Sequence, residues 1–359
     1  MKKFLGVLFL ALLGVFALTA CAAKTYEIAL VTDVGNIDDK SFNEGAWNGV
    51  KEYAEANGIT YAYYRPAEDS TAARVSTIEN AIAKGAKVVV CPGYLFETAI
   101  YEVQDDYPNV NFLLLDGQPH TEDYSTYRTA SNVHCILYQE EQAGFLAGYA
   151  AVKDGYRSLG FVGGMAVPAV VRFGYGFVQG ADAAAVELGL TNVTIKYYYC
   201  GAFAGSDALE TKVAGWYADG VEVVFACGGK LYTSVVAAAE ATADGKVIGV
   251  DVDQVAESTE GRIITSAMKA LTLSVKTSLL SLYNNGGTWS PALAGTTAVL
   301  GVEQEGVGLP VAAGSWKFET FTLADYNAIF NKLVTGEIVV SNVITAQPTV
   351  VKVTVDYNA

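Results

Sequence analysis

A strand–turn–helix unit that recurs along the chain limits its fold more than any other feature. The first copy opens with the apolar run 28–31, bounded by turn chemistry, which reads as a buried parallel strand. Asp33 stands where that run ends, and Gly35 and Asn36 permit a tight loop tolerant of left-handed backbone. Asp39 or Ser41 then caps a helix patterned on Phe42, Ala46, Trp47, Val50, Tyr53 and Ala54, with acid groups near its positive end. The unit repeats as strands over 60–64, 87–91 and 111–115, with helices over 71–83 and 96–103. It restarts after a helix over 139–152, with strands over 158–162, 194–199, 221–226 and 247–250. Strands alternating with helices at this rhythm build parallel sheets in an α/β protein.

The last hundred residues are less regular: strands over 263–267, 297–302 and 349–355, helices over 271–283 and 323–333. Two doubly wound parallel-sheet lobes, with the chain passing back through both near its end, make a clamshell with its site in the cleft. The expected lobes are 28–137 with about 269–300, and 138–268 with about 301–359. Gly144 and Gly148 lower helix propensity by about 1 kcal/mol each relative to alanine, which another element packed closely on that face would offset.

The N-terminus carries its own message. A basic start, Met1-Lys-Lys-Phe, precedes the apolar stretch 5–16 and then Leu18-Thr-Ala-Cys21. These are the three parts of a secretory signal, and the terminal cysteine resembles a bacterial lipobox. The expectation is cleavage of residues 1–20, a lipid on the Cys21 sulfur, a short tether over 21–27, and a protein held on the outer face of the cell membrane. The chain's net charge of −15 becomes −17 once Lys2 and Lys3 are removed. A body this acidic argues against nucleic acid as a partner and for solubility. Cys91, Cys135, Cys200 and Cys227 form no CxxC, and His120 and His134 are too few for a histidine-based metal site.

Four strand ends bring an acid, amide or base beside a glycine or aromatic: Asp33 with Asn43, Asp116-Gly117, Gly228-Gly229-Lys230, and Asp251 with Asp253. Paired carboxylates serve acid–base catalysis, or they accept hydrogen bonds from vicinal hydroxyls without any reaction. No G-x-S-x-G, H-E-x-x-H, Walker loop or dinucleotide fingerprint is present, so a binding protein is favoured over an enzyme, and no cofactor or metal is expected. Lys269 follows a strand and is able to donate to a hydroxyl. Phe203 lies in the glycine-flanked loop 200–206, where an aromatic is free to stack on a flat ring.

From Asp33-Val-Gly-Asn-Ile-Asp-Asp-Lys-Ser-Phe-Asn43 onward the chain resembles the basic membrane protein family, substrate-binding lipoproteins of bacterial ABC transporters of the purine nucleoside receptor A type. The resemblance continues through Gly93-Tyr-Leu-Phe96, Asp116-Gly117, Glu140 to Gly148, Pro168 to Gly180, Gly249 to Gln254 and Ser266 to Lys269. It implies a type I periplasmic-binding-protein fold with a multi-strand hinge, taking a nucleoside between the lobes, a purine nucleoside above all, for delivery to an ABC permease. By that resemblance Phe42 and Phe203 sandwich the base, and Asn43 and Asp116 hydrogen-bond at or near it. Asp251 and Lys269 clamp the ribose, Gly229 offers backbone, Asp33 supports its loop, and Trp47 lies near the base end. The implied protein is a monomer. Two other readings stand beside it: a binding protein for another sugar-like or furanose metabolite, and a nucleoside hydrolase using the strand-end aspartates.

Overall fold

Most strands are short apolar runs stopped by a polar residue or glycine, and most helices carry the chain back over the sheet it has just left; the exceptions are the helices that open each passage between lobes. The computed structural model describes residues 25–359. The expected signal peptide, Cys21 and most of the tether lie outside the described residues. Strand β1 (Ile28–Val31) is buried on both faces. Helix α1 (Phe42–Asn57) is capped by Asp39 rather than Ser41: the Asp39 carboxylate accepts the N–H groups of Ser41, Asn43 and Glu44 at 2.9, 3.0 and 3.0 Å. Then come β2 (Tyr61–Tyr64), α2 (Thr71–Ala83), β3 (Val88–Pro92), α3 (Glu97–Val103) and β4 (Asn111–Leu115). The next strand, β5 (Val133–Tyr138), was not among those expected from the sequence. A long loop replaces the helix before it, which breaks the strand–helix rhythm, and His134 interrupts the strand's apolar run.

The second lobe runs α4 (Glu140–Asp154), β6 (Ser158–Gly163), α5 (Pro168–Glu187), β7 (Val193–Tyr199), α6 (Asp207–Ala218), β8 (Val223–Cys227), α7 (Tyr232–Glu240), β9 (Lys246–Asp251) and β10 (Ile263–Lys269). The chain then returns to the first lobe as α8 (Leu271–Asn284) and β11 (Thr296–Leu300), and ends in the second as β12 (Val307–Gly308), α9 (Leu323–Val334) and β13 (Val353–Asp356). The sheets order as β11-β5-β4-β3-β1-β2 and β12-β10-β9-β8-β6-β7-β13. Pairing is parallel throughout except between β10 and β12. Without the added edge strands, both lobes share one doubly wound order, with a topological switch point at β1/β3 and at β6/β8. Open α/β sheets bind ligands just outside such points.

The chain passes between lobes at residues 138–140, 269–271 and 300–302. The first and third crossings are tied together, Gln139 N–H to Leu300 C=O at 3.0 Å and Val302 N–H to Gln142 Oε1 at 2.8 Å. The element packed on the α4 glycines is α5. A Cβ on Gly144 or Gly148 would stand 2.1 Å from the carbonyl oxygens of Phe173 and Phe177, and one on Gly176 or Gly180 would strike the α4 backbone in return. Two helices therefore meet backbone to backbone, which only glycine at those positions permits.

Candidate functional site

The carboxyl edges of the two sheets face each other across a cavity of about 770 Å³, within the range of small-molecule sites. Asp33, Phe42, Asn43 and Asp116 reach it from the first lobe, and Phe203, Gly229, Asp251 and Lys269 from the second. Trp47 does not join them. It follows Phe42 by five positions, about 140° round the helix, and packs instead on Tyr61 and Tyr63 with ring centroids 5.4 and 5.5 Å away.

Asp116 follows β4 and Asp251 ends β9, the equivalent strands of the two lobes, and both adopt left-handed backbone (φ 58° and 66°). Aspartate tolerates that conformation better than most side chains, so an acid at each of these strand ends is turned toward the cavity. Between them lies the ammonium of Lys269, a residue only 5 % exposed. It is in ion-pair contact with Asp116, stands 3.1 Å from Glu140 Oε1 and 4.0 Å from Asp251 Oδ1, and sits over the rings of Phe42, Phe173 and Tyr138 at 4.9, 5.2 and 5.4 Å.

One buried cation is thus shared among three carboxylates. Burial by itself would depress the Lys269 pKa, but Asp116, Glu140 and Asp251 outweigh it and hold the ammonium above its ordinary value. Burial raises Asp116; Lys269 opposes that, while Glu140 and Asp251 add to it, and the net direction is upward. Glu140 ends below its usual value despite complete burial, because Lys269 and Arg172 both act on it, the latter through Nε at 2.5 Å. Asp251 is raised by burial, against Lys269 and the Ser41 hydroxyl, which donates to its Oδ2 at 2.5 Å. Asp116 Oδ1 is buried with no hydrogen-bond partner among the described residues. An acceptor left in that condition costs about 1–3 kcal/mol until a donor reaches it.

The loop after β1 is held by Asn43, whose amide donates to Asp33 Oδ1 at 2.8 Å and to Asp39 Oδ2 at 2.9 Å. Both amide protons are committed to the loop, leaving Asn43 only its oxygen, which the Asp33 N–H already approaches at 3.3 Å. Burial pushes Asp33 up to about 6, against hydrogen bonds from Gly35 and Asn43. In the other lobe Phe203 lies on bare backbone: a Cβ on Gly164 would stand 2.3 Å from its ring and one on Gly228 2.7 Å.

Sequence reasoning missed the far wall, where Tyr94, Glu97, Gln118 and Tyr127 line the cavity. Glu97 accepts from the Gln118 N–H at 2.9 Å and meets His120 Nε2 at 3.1 Å, and burial raises its pKa. Gly93-Tyr94 and Asp116-Gly117-Gln118 follow strand ends, so the rule that found Asp116 extends to them. Arg172 carries no such signal, since it sits on a helix that tertiary packing brings to the cleft, whereas Glu140 stands two residues past β5, the strand that was not expected. Among the described residues no cluster of His, Cys, Asp and Glu fits a metal ion, and no helix is long and apolar enough to cross a membrane. The four described cysteines are free, and Cys91, Cys135 and Cys227 are buried.

Comparison with known proteins adds to this geometry. A family profile described as ABC transporter substrate-binding protein PnrA-like matches residues 26–342. The ABC transporter nucleoside-binding protein BmpA of Lactococcus lactis subsp. cremoris is 28% identical over 276 residues, 70% of this chain and 74% of that one. Basic membrane protein A1 of Borrelia garinii subsp. bavariensis is 30% identical over 245 residues, 68% of each chain. An ABC transporter solute-binding protein from Aeropyrum pernix K1 superposes with a TM-score of 0.72 at 22% identity, covering 88% of this chain and 94% of that one. The fold is that of the type I periplasmic binding proteins.

Proposed function

The chain belongs to the Bmp family of PnrA-like ABC transporter substrate-binding proteins, and from that premise we propose that it captures a nucleoside, by preference a purine nucleoside, between its lobes. The observation that carries this reading is the unpartnered, buried Asp116 Oδ1 beside a lysine shared with Asp251, in a cavity that also holds Phe42 and Phe203. Such a site asks for a solute with a flat face for the aromatics and several N–H or O–H donors for the carboxylates. A nucleoside has both, and a relative from Lactococcus lactis is named for binding one. A phosphorylated solute would bring negative charge among Asp33, Asp116 and Asp251.

Capture needs no bond to form or break. A solute touching both lobes favours the closed arrangement, and rotation about the three crossings is the motion that admits and encloses it. We place the protein on the outer face of the cell membrane, held by lipid on Cys21, where an ABC importer receives the closed receptor. Isothermal titration against adenosine, guanosine, inosine, cytidine, uridine, ribose and galactose tests the solute. Micromolar or tighter binding of purine nucleosides, lost on Asp116→Asn, is expected. Binding of a free sugar without any nucleoside would overturn the proposal. Mass spectrometry of the protein from native membranes tests the anchor through diacylglycerol on Cys21.

A further inference from the structure

The lobes also touch each other directly. The loop before α1 (residues 38–41) meets the segment that ends β9 and follows it (residues 251–254). Gln254, 0 % exposed, is fixed within its own lobe by two bonds: Oε1 accepts the Val250 N–H at 3.0 Å, and its N–H donates to Ser266 Oγ at 3.0 Å. That leaves Nε2, which crosses to the Lys40 carbonyl of the other lobe at 2.7 Å. Lys40 is a non-glycine residue in left-handed backbone (φ 55°), a conformation uncommon for such a side chain. Two further links join the same region: the Ser41 hydroxyl to Asp251 at 2.5 Å, and the exposed Lys230–Asp38 ion pair at 3.3 Å.

We propose that Gln254 is a positioning residue that latches the lobes shut with or without solute, so that the bare receptor already populates its closed state. The amide is pre-organised: its carbonyl end is held by Val250, so the amino end waits at one place for Lys40. Closing forms a hydrogen bond without ordering a free side chain. Apparent affinity scales with the fraction of receptor in the competent state, so the latch raises affinity while touching nothing that is bound. The affinity arm rests on the proposed capture of a solute between the lobes; the closure arm needs no solute.

Gln254→Glu separates this role from general support of the fold. It keeps an oxygen for the Val250 N–H but is able to donate to Lys40 C=O only while protonated. The ionisable groups around it are Asp39, Asp251, Asp253, Glu257 and Lys40. Asp39 caps α1, Asp253 is held by the Ser315 hydroxyl, Glu257 lies 3.4 Å from the Tyr232 hydroxyl, and the Lys40 ammonium is paired with Glu44 at 3.1 Å. Small-angle scattering of ligand-free protein, variant against wild type at each pH, is expected to show an expanded variant at pH 8 and a smaller expansion at pH 5. Guanosine release from the variant should be about tenfold faster at pH 8, the size of one lost hydrogen bond, and only about fourfold faster at pH 5, where the glutamate is partly protonated. Ser41→Ala, which introduces no charge, should expand the ligand-free protein at both pH values. Equal radii for Gln254→Glu and wild type at pH 8, or an expansion as large at pH 5 as at pH 8, would overturn the latch. Loss of guanosine binding by wild type with closure behaving as stated would reject the nucleoside and leave the latch standing.

Discussion

Replacing Lys269 with methionine removes the one cation that Asp116, Glu140 and Asp251 share. At 3.1 Å from Glu140 and 4.0 Å from Asp251, with an effective dielectric constant of about 20, the gross attractions are about 5 and 4 kcal/mol. Methionine also avoids burying an ammonium, which offsets several kcal/mol. What remains is a group of buried carboxylates with Arg172 as the nearest countercharge, and breaking a buried pair in this way costs about 3–5 kcal/mol. The cost depends on pH. Burial and its acidic neighbours already raise Asp116 in the folded protein, so its contribution favours folding at low pH and is lost as pH rises through the folded value. Without the lysine that value rises further and the loss at high pH deepens. Glu140 is lowered in the intact protein, so its stabilisation is present at high pH and fades as pH falls; the variant forfeits part of it where it was largest. Both effects point the same way. Urea unfolding followed by tryptophan fluorescence should show a deficit of about 3–5 kcal/mol at pH 8 and about half that at pH 5. A deficit under about 1 kcal/mol at pH 8, or one equal at both pH values, would refute the shared-cation reasoning.

Phe203→Ala should weaken nucleoside binding by about 1–3 kcal/mol, the usual worth of a base stacked on an aromatic side chain. Gly164→Ala, whose Cβ would stand 2.3 Å from that ring, should weaken it similarly without touching the solute, as titration calorimetry would record. Trp47→Ala should leave affinity within about twofold and lower stability by about 1–3 kcal/mol through its lost contacts with Tyr61 and Tyr63; a tenfold loss of affinity would return Trp47 to the site. The Asp182 carboxylate accepts the N–H groups of Val351, Lys352 and Val353 at 2.9, 2.6 and 3.1 Å. Asp182→Ala should therefore cost about 2 kcal/mol and speed limited proteolysis between residues 337 and 352, read by mass spectrometry.

The α/β class and the acids at the cleft were legible because they are local. A parallel strand buried on both faces must be an apolar run, and whatever stops it stands at the sheet's carboxyl edge, where Asp33, Asp116 and Asp251 are found. The α4 glycines announced a close neighbour, since nothing within a helix explains them. Trp47 shows where this reasoning fails: a residue near a binding loop in sequence turns away from it when the helix rotates. Asn43 shows a second limit, because its amide serves the loop's own Asp33 and Asp39.

By itself, then, the order of residues dictates the alternation of strand and helix and puts carboxylates and aromatics at strand ends, because those properties depend on periodicity and turn chemistry over a few neighbours. Which of these groups share one lysine is decided only in three dimensions. Lys269 meets Asp116, 153 positions away, only when two sheets are set edge to edge, and Arg172 arrives there through a packed helix. Charge interactions inside a protein fall off with distance through space and with exposure to water, and neither quantity is written along the chain.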